Sequence, residues 1–68
     1  MAEFYVDTTA QGNGEHIVHF ATCESLPPKE ARLYLGSIAS CGSALKKAAE
    51  KFKPVNACPR CAAAFHTA

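Results

Sequence analysis

His16-Ile17-Val18-His19-Phe20-Ala21-Thr22-Cys23 is the stretch on which the fold turns, and Cys58-Pro59-Arg60-Cys61 completes its meaning. Residues 16–20 are β-branched and aromatic, the composition of a strand. Strand alternation puts Ile17 and His19 on one face and His16, Val18 and Phe20 on the other, so only one of the two histidines can face the cysteines. His19 and Cys23 are separated by three residues and Cys58 and Cys61 by two. At such spacings two side chains bend around one ion without strain, and one histidine with three cysteines is a tetrahedral donor set suited to structural zinc. The predicted metal ligands are therefore His19, Cys23, Cys58 and Cys61. The 34 residues between Cys23 and Cys58 leave room for a strand and a helix, so one ion would tie two distant parts of the chain together.

A chain of 68 residues has reason to use such a tie. A single core of this size seldom leaves more than about 3–5 kcal/mol of net stability. Hydrophobic residues make up 49% of the sequence, enough for one globular core and too many for a disordered chain, although alanine supplies much of that fraction. One domain spanning residues 1–68 is the expectation. The net charge of +1 excludes the strongly basic domain of a dedicated nucleic-acid binder. The start, Met1-Ala2-Glu3-Phe4-Tyr5-Val6, lacks the basic and apolar regions of an export signal, and no run approaches the roughly 18 apolar residues of a membrane span. A cytoplasmic protein with reduced thiols and no membrane association follows as the expectation. In that compartment four cysteines read as metal ligands or buried thiols, with two disulfides as the alternative.

Working outward from the central strand, Phe4-Tyr5-Val6 is a second β-prone run. The Asn13-Gly14 turn signal joins the two runs as a hairpin. Pro27 and Pro28 remove amide donors and fix φ, which makes the segment after Cys23 a loop. Arg32-Leu33-Tyr34-Leu35 returns to strand composition, and Gly36 closes it. Ser40 is the candidate N-cap of a helix whose apolar stripe runs through Cys41, Ala44, Leu45, Ala48 and Phe52. Lys46, Lys47, Glu50, Lys51 and Lys53 fall mainly on its other side, and Pro54 stops it, with Lys51 and Lys53 suiting its negative end. The predicted fold class is α+β: a small antiparallel sheet of two to three strands packed on one C-terminal helix, with a cysteine-bearing tail.

Each ligand assignment has a rival. His16 is the neighbour of His19 on the opposite face, Cys41 reads as a buried inert thiol on the helix stripe, and His66 follows Cys61 at a spacing that could replace His19. A saturated four-ligand site has no open position for water, and the chain shows no Gly-rich phosphate loop, no nucleophile beside an evident base and no carboxylate pair. The expectation is not an enzyme. Two roles are compatible with these residues. One is a zinc-stapled interaction module for a protein partner, with weak nucleic-acid contact through Lys46, Lys47, Lys51, Lys53 and Arg60. The other is a thiol-based redox or metal-handling protein using the Cys58/Cys61 pair, in which Arg60 lowers a thiol pKa.

The order His19-x3-Cys23, Leu26-Pro27, Tyr34-Leu35-Gly36-Ser37 leading into a helix with Ala44, then Cys58-Pro59-x-Cys61, resembles the small metal-binding domain of the Ada DNA-repair protein. It is similar also to short bacterial proteins of unknown function that carry a strand of the Ile17-Val18-His19 kind. The resemblance spans residues 4–66 and implies a zinc-ribbon or Ada-type metal domain. In the Ada domain the first ligand is a cysteine that accepts a methyl group from a DNA phosphotriester. His19 stands at that place here, and an imidazole is not that nucleophile.

Overall fold

The run His16–Phe20 forms strand β2, and in the computed structural model, which describes residues 1–66, it takes a partner on each side. On one side it pairs antiparallel with β1 (Ala2–Asp7), Phe4 opposite Phe20 and Val6 opposite Val18. On the other it pairs parallel with β4 (Val55–Ala57), His16 beside Val55 and Val18 beside Ala57. β3 (Arg32–Ile38) lies antiparallel along the free edge of β1, giving the order β3-β1-β2-β4. Helix α1 (Cys41–Ala49) sits between β3 and β4 in the chain. It belongs to the long crossover that any parallel pair requires.

One face of the sheet meets the helix. Phe4, Val6, Val18, Leu35 and Ala57 bury their side chains against Cys41, Ala44 and Ala48 of α1. The alanines let the helix sit close to the sheet, and Phe4 supplies much of the apolar bulk, its ring 4.7 Å from that of Phe20. The N-cap is as the sequence predicts: Ser43 N donates to Ser40 Oγ at 3.2 Å. The hairpin forms too, closed at its tip by Gly14 at φ +87° and by Glu15 N donating to Asn13 Oδ1 at 3.0 Å.

Several expectations are corrected. The sheet has four strands and is mixed, in place of an antiparallel sheet of two to three strands, and the helix is not C-terminal because β4 follows it. β4 has only three residues, squeezed between Pro54 and Cys58, too few to display alternation. Its place in the sheet is decided by pairing with β2. The helix ends at Ala49, before Pro54, and the chain leaves it in a tight turn as Lys51 N and Phe52 N both donate to Ala48 O. The basic residues of its last turn are accordingly Lys46 and Lys47. Phe52 still packs on the core, its ring stacked on His16 at 4.4 Å.

Gly36 does not close β3 but lets it continue to Ile38. Phe4 faces Gly36 while Tyr5 faces Tyr34, so Leu35 is the extra residue of a bulge. Gly36 holds φ +119° there, in a region that a side chain resists. A Cβ at this position would lie 3.6 Å from Lys47 Nζ, an ordinary contact, so the expected cost of Gly36→Ala is conformational. It amounts to about 1–3 kcal/mol, readable as a lowered urea midpoint at fixed metal concentration.

Candidate metal centre

The face of the sheet turned away from α1 carries the quartet. On β2, alternation sends Val18 toward the helix and Ile17 and His19 away from it. Val18 belongs to the helix-side core, whereas Ile17 packs with Cys23 and Cys58. The parallel register then places the second ligand. Cys58 N donates to Val18 O at 3.0 Å, which extends the pairing one residue beyond β4 and sets Cys58 next to His19. Two turns deliver the remaining sulfurs. Cys23 N donates to Phe20 O at 3.0 Å, folding the chain back after β2, and Ala62 N donates to Cys58 O at 2.9 Å, curling the tail so that Cys61 returns.

The donor atoms of His19, Cys23, Cys58 and Cys61 all lie within 4.8 Å of one another. All four cysteines of the chain are free thiols, so the disulfide alternative is not the form of this structure. Each sulfur of the cluster receives a backbone N–H at 3.4 Å: Ser25 N to Cys23 Sγ, Arg60 N to Cys58 Sγ and Phe20 N to Cys61 Sγ. Such donors stabilise sulfur that carries negative charge and orient it as a ligand. Ile17 and Leu26 pack against the cluster.

Burial holds the His19 imidazole below its usual pKa, against a weaker opposing pull from Asp7, so the ring is neutral at pH 7 as a metal ligand must be. Its Nδ1 is fully buried with no hydrogen-bond partner. Buried polar atoms are nearly always satisfied, and a metal ion in the cluster would explain the exception. Among the sulfurs, burial opposes ionisation of Cys58. The N–H groups of Cys61 and Arg60, together with hydrogen bonds to Cys23 and Cys61, outweigh that and lower its pKa. Cys61 is pushed up to about 12 by burial and by its hydrogen bonds with Cys23 and Cys58. The metal-free centre thus keeps a proton on Cys61 at neutral pH. Metal uptake must expel it, so affinity should fall by about tenfold for each unit by which the pH is lowered, per thiol proton displaced. Calorimetric titration in buffers of different ionisation enthalpy would count those protons.

The rivals stand outside the cluster. His16 points to the helix side, its Nδ1 2.9 Å from Asp7 O, and His66 lies with its Nδ1 2.9 Å from Ala57 O. Cys41 is buried against the sheet on α1, where desolvation raises its thiol pKa. Two further residues, Thr22 and Glu24, were not singled out by the sequence. With Arg60 and the two sulfur residues Cys23 and Cys61 they line an open cavity of about 430 Å³ beside the centre. Adjacency to Cys23 was the one available signal for them. Arg60 borders this cavity, whereas Lys46, Lys47, Lys51 and Lys53 are exposed on α1 and the turn after it. The open sheet face also carries an aromatic group, with Tyr5 and Tyr34 rings 5.3 Å apart and the Arg32 guanidinium 4.8 Å over Tyr5. Among the described residues no helix is long and apolar enough to cross a membrane.

In comparison with known proteins, the chain matches no family model, no curated protein and no solved structure, which leaves the His19, Cys23, Cys58 and Cys61 cluster as the feature that characterises it: a small α+β chain with a potential metal centre.

Proposed function

We propose that the cluster is a structural zinc centre and that the chain is a cytoplasmic interaction module with no catalysis of its own. The observation that carries this reading is the combination of three sulfurs, each with a backbone N–H donor, and a buried His19 Nδ1 with no other partner, all within one small volume. Nitrogen and sulfur donors in a set of four suit zinc, and four protein ligands leave no position for a reacting water. The likeness to Ada-type and zinc-ribbon domains rests on ligand order and agrees with this assignment. His19 in first place argues for the staple without the methyl transfer.

The partner in this reading is a protein. The exposed Lys46, Lys47, Lys51, Lys53 and Arg60 offer at most weak nucleic-acid contact, since the chain is close to neutral. Native mass spectrometry of protein purified without chelator tests the centre directly. One zinc per chain supports it, and a fully folded metal-free chain removes it. Binding to mixed single-stranded DNA that falls steeply between low and moderate salt would assign the lysines a role that a solvated helix surface does not have.

A second reading, thiol redox or metal handling by Cys58 and Cys61, is favoured by one observation: Cys61 is only partly buried and lines the open cavity. It requires rapid alkylation of both Cys58 and Cys61 in the native state, whereas a zinc staple keeps the buried Cys58 protected until a chelator is added.

A further inference from the structure

The four ligands of the centre are unequally shielded. His19 and Cys58 are 5% and 2% exposed, Cys23 is 9% exposed and Cys61 is the most open of the cluster. Only Cys23 and Cys61 line the cavity of about 430 Å³, where they meet Thr22, Glu24 and Arg60. Their sulfurs belong to the same cluster, within 4.8 Å, so either can reach the other after a small side-chain rotation. A small soft reagent entering from solvent therefore meets one particular pair of ligands, with Cys61 ahead of Cys23.

We infer that Cys61 is an oxidation site through which hydrogen peroxide controls metal occupancy, the first disulfide joining Cys61 to Cys23. The inference rests on the metal reading above and deepens it by naming what regulates the centre. The chemistry balances as follows. The Cys61 thiolate attacks one peroxide oxygen, the O–O bond breaks and hydroxide leaves, giving a sulfenic acid on Cys61. The Cys23 thiolate then attacks that sulfur, the S–O bond breaks and a second hydroxide leaves as the S–S bond forms. Two electrons pass from the sulfurs to the peroxide, and two protons from solvent convert both hydroxides to water. Loss of two thiolate donors leaves His19 and Cys58, too few to retain the ion.

Protein first shown to carry one zinc per chain would be treated with hydrogen peroxide while released zinc is read with a chromogenic chelator. Cysteines left reduced are then alkylated, and tryptic cleavage after Arg60 separates Cys58 from Cys61 for peptide mapping. Zinc release should keep step with a cross-link between the Cys23 and Cys61 peptides, while Cys58 and the buried Cys41 remain alkylatable. Thr22→Phe narrows the cavity without touching a ligand, and should keep its zinc yet lose it severalfold more slowly under peroxide. A zinc-loaded chain whose first disulfide contains Cys58 or Cys41, or whose Thr22→Phe variant oxidises as fast as the parent, overturns the inference and leaves the zinc centre standing. A chain that carries no zinc at the first step overturns the metal reading and this inference with it.

Discussion

Chelation is expected to unfold the zinc-loaded chain, with loss of the helical circular dichroism signal and its recovery when zinc is restored. Structural zinc in small finger peptides contributes apparent free energies on the order of 10–16 kcal/mol at pH 7, several times the roughly 3–5 kcal/mol that a core of this size provides alone. The geometry gives the reason that the loss should be global. The centre joins the exit of β2 to the tail after β4, through Cys23 and Cys58, which are 35 positions apart in the chain. Without the ion, the parallel pairing of a three-residue strand must hold this closure, while His19 Nδ1 stays buried and unsatisfied. An unsatisfied buried polar atom costs about 1–3 kcal/mol, a large share of what the core supplies. A chain that keeps its helical signal and cooperative melting after complete chelation would show that the core suffices.

Phe4→Ala is the second change with a large expected effect. Phe4 is 1% exposed at the centre of the helix-side core, paired with Phe20 on β2 and opposite the bulge glycine Gly36 on β3. Truncating a buried phenylalanine costs about 3–5 kcal/mol in lost transfer energy and residual cavity. That is as much as a core of this size supplies in total, so the variant should depend on its metal alone to fold. The zinc-loaded variant should fold with a lowered urea midpoint, because binding energy is folding energy in such a site. Tyr34→Ala, on a residue 50% exposed, should change the stability read from that midpoint by no more than about 0.5 kcal/mol. Equal shifts for the two variants at the same free zinc would contradict the placement of the core.

Much of this was legible locally because local chemistry decides it. The strand at β2 follows from Ile17, Val18 and Phe20, β-branched and aromatic residues within a run of five, and its period of two separates His19 from His16 before any partner strand is known. The cap at Ser40 and the stripe through Cys41, Ala44 and Ala48 likewise depend on neighbours within a few positions. What failed was reading boundaries from single residues. Gly36 reads as a stop and Pro54 as the helix end, yet Gly36 extends β3 through a bulge and the helix finishes about one turn earlier, at Ala49. Pairing with β1 carries β3 past Gly36, whereas the helix ends in a local turn on Ala48 O.

From the sequence alone came the α+β class, the hairpin, the capped helix and a quartet of candidate ligands chosen by spacing. These depend on side-chain type and short-range periodicity, which the chain carries at every position. Only the tertiary structure decided that β4 joins β2 in parallel, that the sheet is therefore mixed, and that His19 and Cys58 stand side by side as a result. It alone placed an N–H on each sulfur and opened a cavity on Cys23 and Cys61. The physical reason is that strand register and the approach of distant turns are set by cooperative burial of one sheet face against α1, a property of the whole packed chain that no short stretch contains.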